Sequence, residues 1–241
     1  MRHIFMLSSA IALAFPVHAQ QGQLQVPGTD ETGAFRTVRF YDPAAVGIKK
    51  APVLNLGDIE GTPFWDEHWN PGFITLRNGN TVKLGELKVN QYSHEVHYMN
   101  GDAEMSADGL QVTKVQLMKA KDTTQVLARF EAYADVDAAG KVCFYRIANE
   151  GRYRLLELQK ATVKTSAYDP SLGKAESRWL TKSRWVIAEN GQLMPLADLD
   201  KDKILAFVKA DASADAWLKS NRNKMKNEAD VTAFLNWWNK K

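Results

Sequence analysis

A single cysteine in 241 residues excludes a disulfide framework, since a bridge needs a partner thiol. Charge of one sign is also missing. The 31 basic and 28 acidic residues leave a formal net charge of +3, and no basic block runs long enough to track a phosphate backbone. Strong nucleic-acid affinity is therefore not expected. Beyond residue 19, no stretch approaches the roughly 18 apolar residues that a spanning helix requires. Gly-x-Ser-x-Gly is absent, which removes the hydrolase elbow. Neither the dinucleotide glycine fingerprint nor the phosphate loop occurs. What the chain does hold is apolar bulk. Seven Trp, seven Tyr and ten Phe supply area for a packed core and exclude low-complexity disorder.

The N-terminus reads as an export signal. Arg2 and His3 give a positive start, residues 4–15 are an apolar run without charge, and Pro16 ends it. Val17-His18-Ala19 follows, so cleavage is expected between Ala19 and Gln20. Twelve residues make about 18 Å of helix, too short for a hydrocarbon core of about 30 Å. The mature protein is thus expected to be secreted, periplasmic or extracellular, with no transmembrane segment. Removing residues 1–19 takes away Arg2 but no acid, so the mature charge is +2. His3 and His18 leave as well, and His68, His94 and His97 remain. Cys143 lies in the apolar run Val142-Cys143-Phe144-Tyr145, where it is expected to be a buried, inert hydrophobe.

Residues 20–58 have no period and read as an extension laid across the main domain, with one short strand near Val38, Phe40 and Tyr41. Residues 59–195 have period two. Ile74 and Leu76 alternate with polar residues up to Asn78-Gly79, a tight hairpin, and Val82, Leu84, Leu87 and Val89 resume the pattern. Asn100-Gly101, Asp108-Gly109, Ala139-Gly140, Glu150-Gly151 and Asn190-Gly191 punctuate the later runs. Trp179, Trp185 and Ile187 share one face of the last long run, with Arg178, Lys182 and Arg184 on the other. These signals predict an antiparallel meander of roughly eight to eleven strands, curved or closed into a half-barrel. Residues 196–241 switch to helical spacing. Asp198 or Asp200 caps a first helix carrying Ile204, Leu205 and Val208, and a second covers residues 214–222. Asn227 caps a third, with the stripe Val231, Phe234, Leu235 and Trp238 facing the sheet. The expected class is mainly β (α+β) with a C-terminal helical segment packed on the sheet.

Gly61-Thr62-Pro63-Phe64-Trp65, Trp69-Asn70-Pro71-Gly72, Ile74-Thr75-Leu76 and Asn78-Gly79 open the β region, and Leu87-Lys88-Val89-Asn90-Gln91-Tyr92 and Glu95 follow. With the capped segment from Lys224 to Trp238, this pattern resembles an uncharacterised family of secreted bacterial β-sheet proteins. The resemblance covers about a third of the chain and implies export, a β-sheet domain and C-terminal helices. It brings no catalytic or binding residues with it.

Candidate chemistry is sparse. His94-Glu95-Val96-His97 holds two histidines three apart in β-patterned sequence, so they are expected on opposite faces of a strand, which is no chelate. No metal, cofactor or catalytic residue is assigned. Phe64, Trp65, Trp69 and Phe73 fall within ten residues and either plug the core or present an apolar face to a ligand. They are the candidate ligand-binding residues. The favoured function is an exported, non-enzymatic binding or interaction module, in its concrete form handling a small apolar ligand or an envelope protein. The alternatives are an envelope hydrolase centred on His94, His97, His68 and Asp66, or a structural protein docking a partner through its Trp-rich face.

Overall fold

In the computed structural model the described residues are 59–166 and 176–241, with the backbone of three upstream pairs, β1 (Gln23–Leu24), β2 (Val38–Arg39) and β3 (Lys49–Lys50). The expected signal at 1–19 and the rest of the extension lie outside them. The strands that follow are β4 (Ile59–Glu60), β5 (Asn70–Leu76), β6 (Thr81–Val89), β7 (Glu95–Asn100), β8 (Ala103–Asp108) and β9 (Val112–Lys119). Then come β10 (Asp122–Ala134), β11 (Val142–Ile147), β12 (Tyr153–Thr165), β13 (Ser177–Glu189) and β14 (Gln192–Leu196). Three helices close the chain: α1 (Lys201–Phe207), α2 (Ala212–Ser220) and α3 (Glu228–Trp238). Among the described residues the protein is mainly β, with helices confined to the C-terminal end.

β1 and β2 pair with each other, and the other twelve strands form one open sheet in the order β14-β13-β12-β11-β10-β9-β5-β6-β7-β8-β3, with β4 parallel to one end of β13. An uninterrupted antiparallel meander is therefore not what forms. β9 leaves the sequence order and pairs with β5, not with β8. Only residues 109–111 join β8 to β9, although three strands separate them in the sheet. A flat sheet would put them four strand spacings apart, about 19 Å, beyond the roughly 14 Å that so short a link can reach. The sheet must curl. Arg77, at the end of β5, fastens the curl by donating to the carbonyls of Leu110 (2.6 Å) and Gly109 (3.0 Å).

Alternation decides what fills the curl. Ile74, Leu84, Leu87, Val96, Val115 and Phe130 point inward and are buried in one cluster. Gly72 sits where β5 is squeezed between β6 and β9. A Cβ there would lie 2.2 Å from the Gln116 carbonyl oxygen and 2.8 Å from Leu87, so only hydrogen fits. The same inner face continues onto β12 and β13, where Leu155 and Ile187 meet the helices. The outer face buries Cys143, Tyr145, Leu156, Leu158 and Val186. Burial pushes the Cys143 thiol up to about 12, with the Asp135 carboxylate adding to it, so no thiolate forms at neutral pH.

The helices are capped by short acceptors. Asp200, not Asp198, caps α1, and Asn227 accepts from the Asp230 amide at 2.8 Å. Helix α2 starts two residues before its expected position because Asp211 takes the Ser213 amide at 2.9 Å. After α3 the side-chain amide of Asn239 stands in for a neighbouring strand. Its oxygen accepts from the Tyr153 amide (2.8 Å) and its nitrogen donates to the Tyr153 carbonyl (2.9 Å).

Candidate functional site

The expected aromatic cluster divides three ways. Trp65 turns into the core, its ring edge-on to Phe130 at 5.5 Å, and its amide donates to the Val89 carbonyl at 2.9 Å. It plugs the curl. Phe64 and Trp69 lie instead on the outer face over β6, and Phe73 lies apart from them on the outer face of β5.

Between Phe64 and Trp69 stands Lys88, its Nζ 5.1 Å and 4.7 Å from the two ring centroids. Strand period explains the placement: Leu87 and Val89 face in, so Lys88 faces out. Burial lowers the Lys88 ammonium below its ordinary value, while Glu104, Asp66 and Glu67 pull it back. The lysine holds residues 61–69 down on the sheet. Lys88→Met, which keeps the stem and removes the charge, should cost about 1–2 kcal/mol in urea denaturation. Lys88→Arg, which keeps a cation over the rings, should recover most of that loss.

His97 faces Lys88 across the β6–β7 ladder and is buried beneath the Phe64 ring. Its Nδ1 is 2.6 Å from Glu104, and its Nε2 lies 3.5 Å from Asn90 Nδ2. Glu95 Oε2 is buried 3.8 Å from Nε2, beyond hydrogen-bond reach. His94 is not on the strand at all. It precedes β7 with a positive φ of 56°, and Lys160, Asp135 and Lys141 are the charges around it. His68 is exposed and bonded to Asp66 at 3.1 Å. The three histidines therefore have different partners. Among the described residues no group of three or more His, Cys, Asp or Glu is placed to hold a metal ion.

Phe73 opens onto a second locus, a cleft of about 480 Å³ on the outer face of β5, β9 and β10. Thr75, Thr81, Gln116, Arg129, Glu131 and Ile147 help to line it. Register builds it: Phe73, Gln116 and Arg129 are cross-strand neighbours in one row, and Thr75, Lys114 and Glu131 form the next. The charges are already matched. Glu131 takes Lys114 at 3.2 Å and Arg154 at 2.7 Å, and Arg129 reaches Gln116 at 3.2 Å and Glu150 at 3.7 Å. Burial pushes the Glu131 carboxyl up, but hydrogen bonds from Tyr133 and Arg154 outweigh it and hold the group below its ordinary value. A paired, ionised carboxylate of this kind is poorly suited to exchanging protons near neutrality. Sequence reasoning reached Phe73 but missed Gln116 and Arg129, because the β9–β5 pairing that aligns them has no local signal.

The chain matches no family model, no curated protein and no solved structure. Among the described residues no helix is long and apolar enough to cross a membrane.

Proposed function

We propose that the protein is an exported, non-enzymatic binding module whose ligand lies in the outer cleft at Phe73. Export rests on the N-terminal pattern of residues 1–19. The observation that carries the binding reading is the make-up of the cleft: an aromatic wall, hydroxyl and amide groups beside it, and lining charges, Lys114 with Glu131 and Arg129 with Glu150, that balance. Clefts of this kind orient a ligand through a few polar groups while an apolar wall supplies area. The matching ligand is small, carries no net charge and is amphipathic, with an apolar side for Phe73 and Ile147 and polar groups for Gln116 and Arg129. An apolar molecule held inside the curl is less well supported, because Leu84, Leu87, Val115 and Phe130 pack together there.

Native mass spectrometry of protein recovered from a secreting host tests this directly. A chain beginning at Gln20 that retains a small-molecule mass is the expected result. Phe73→Ala should lose that mass while keeping the wild-type circular dichroism spectrum. A wild-type chain free of ligand would overturn the binding reading, as would a Phe73→Ala variant that keeps the mass.

A further inference from the structure

The sheet divides where β11 and β12 part. They pair only through Arg146 with Glu157 and Ile147 with Leu156, yet β12 and β13 continue together as far as Thr165 and Ser177. Into the resulting gap fits the turn at residues 90–94. Asn90 shapes it, its side-chain oxygen accepting from the Tyr92 (2.8 Å) and Ser93 (3.0 Å) amides. Gln91 makes it a three-way junction. Its amide donates to the Pro63 carbonyl at 2.8 Å, its carbonyl accepts from the Ala161 amide at 3.0 Å, and its side chain pairs with Gln159. Tyr92 packs edge-on against Trp179 of β13 at 5.1 Å. One turn thus ties the curled half of the sheet to the projecting β12–β13 arm.

His94 ends that turn in a left-handed conformation that side chains other than glycine rarely adopt. The charges that act on it are Lys160 of β12 and, from the segment between β10 and β11, Asp135 and Lys141. Asp135 is already engaged, both of its oxygens accepting from Lys160 at 2.8 Å. The neighbouring Cys143 thiol carries no charge, and Glu95, next on β7, lies beside His97. Asp135 works the other way and favours a cation, and Asp137 also holds Lys160 at 3.1 Å, so burial is the main cost of a second cation here.

We infer that residues 90–94 are an acid-sensitive latch, in which protonation of His94 withdraws the turn from the gap and frees the β12–β13 arm from the curled half. Withdrawal breaks the Ala161–Gln91 hydrogen bond and parts Tyr92 from Trp179, and His94 leaves its left-handed conformation as it enters water. Docked, His94 is held down to about 4, by burial first and by Lys160 next; released, it returns to its ordinary 6.5. The sign follows. A histidine lowered in the docked state supports docking fully above 6.5, and that support fades as pH falls toward 4. At pH 5 the released form should gain about 20-fold relative to pH 7.

Amide hydrogen exchange on the full mature chain, corrected for intrinsic rates, reads this at Ala161. The opening constant there should rise about 20-fold between pH 7 and 5. It should stay flat in His94→Asn, since asparagine tolerates the left-handed conformation and carries no proton. His94→Gly, free of the backbone constraint, should be equally flat. The Leu156 amide, close to the body of the sheet, should not follow. An unchanged Ala161 in wild type, the same rise in both variants, or an equal rise at Leu156 would each overturn the latch.

Discussion

Deleting residues 227–241 should lower the melting temperature by roughly 10–20 °C and expose apolar sheet surface to a reporter dye. Helix α3 buries Val231, Phe234 and Leu235 completely against a cluster that includes Leu155, Ile187 and Leu196. Side chains of this kind each lose about 1.5–3 kcal/mol of transfer free energy when exposed. A net loss of about 5 kcal/mol moves the midpoint of a domain this size by the interval stated. The deletion also strips Asn239 from the Tyr153 backbone and Lys241 from Asp211, which it pairs at 3.2 Å. Phe234→Ala is the gentler version, with an expected cost of about 3–5 kcal/mol. A truncated chain melting at the wild-type temperature without added dye binding would mean that α3 is a detachable arm.

That helix was fully legible in the sequence because its signals are local. An Asn cap, acids in the first turn and a stripe at i, i+3, i+4 and i+7 lie within twelve residues. The long β12–β13 hairpin was legible for the same reason, and its register puts Trp179, Trp185 and Ile187 on one face as their spacing requires. The departure of β9 from the meander was not. It depends on which edge the strand finds, and residues 109–111 read as an ordinary turn whether β9 pairs with β8 or with β5. His94 shows another limit. Its spacing from His97 predicts opposite faces of one strand, but a left-handed residue before Glu95 breaks the strand period at that point. The aromatic quartet was found as residues and not as geometry. Four rings close in sequence serve a core plug, a lysine clasp and a cleft wall, and long-range pairing alone decides which does which.

Arg146 joins the sheet to the helical cover, so its loss should be felt in both. The guanidinium donates to Glu157 at 2.7 Å and forms two hydrogen bonds with Glu228 at 2.9 Å and 2.8 Å, 5.9 Å from the Trp185 ring. The carboxylates differ in what they lose without it. The Glu228 side chain is 39% exposed and can return to water, whereas Glu157 is 8% exposed and cannot. Burial raises the Glu157 carboxyl, and hydrogen bonds from Gln159, Ser183 and Arg146 together bring it below its ordinary 4.5. Arg146→Met should therefore cost about 3–5 kcal/mol at pH 7, the penalty for an unpaired buried charge, while Glu228→Gln should cost about 1 kcal/mol or less. Adding Glu157→Gln to Arg146→Met should restore part of the loss, since no buried charge then remains. The pH dependence is weaker in the variant. In wild type the depressed Glu157 contributes stability above 4.5 that is lost as pH falls through its folded value. In Arg146→Met the Gln159 and Ser183 bonds remain but the guanidinium is gone, so the carboxyl rises relative to wild type and less stability is lost in acid. Urea denaturation at pH 7 and pH 4 should show the gap between the chains narrowing in acid. A gap that stays constant would place the cost of the substitution in lost packing against Trp185, with the ion pair contributing little.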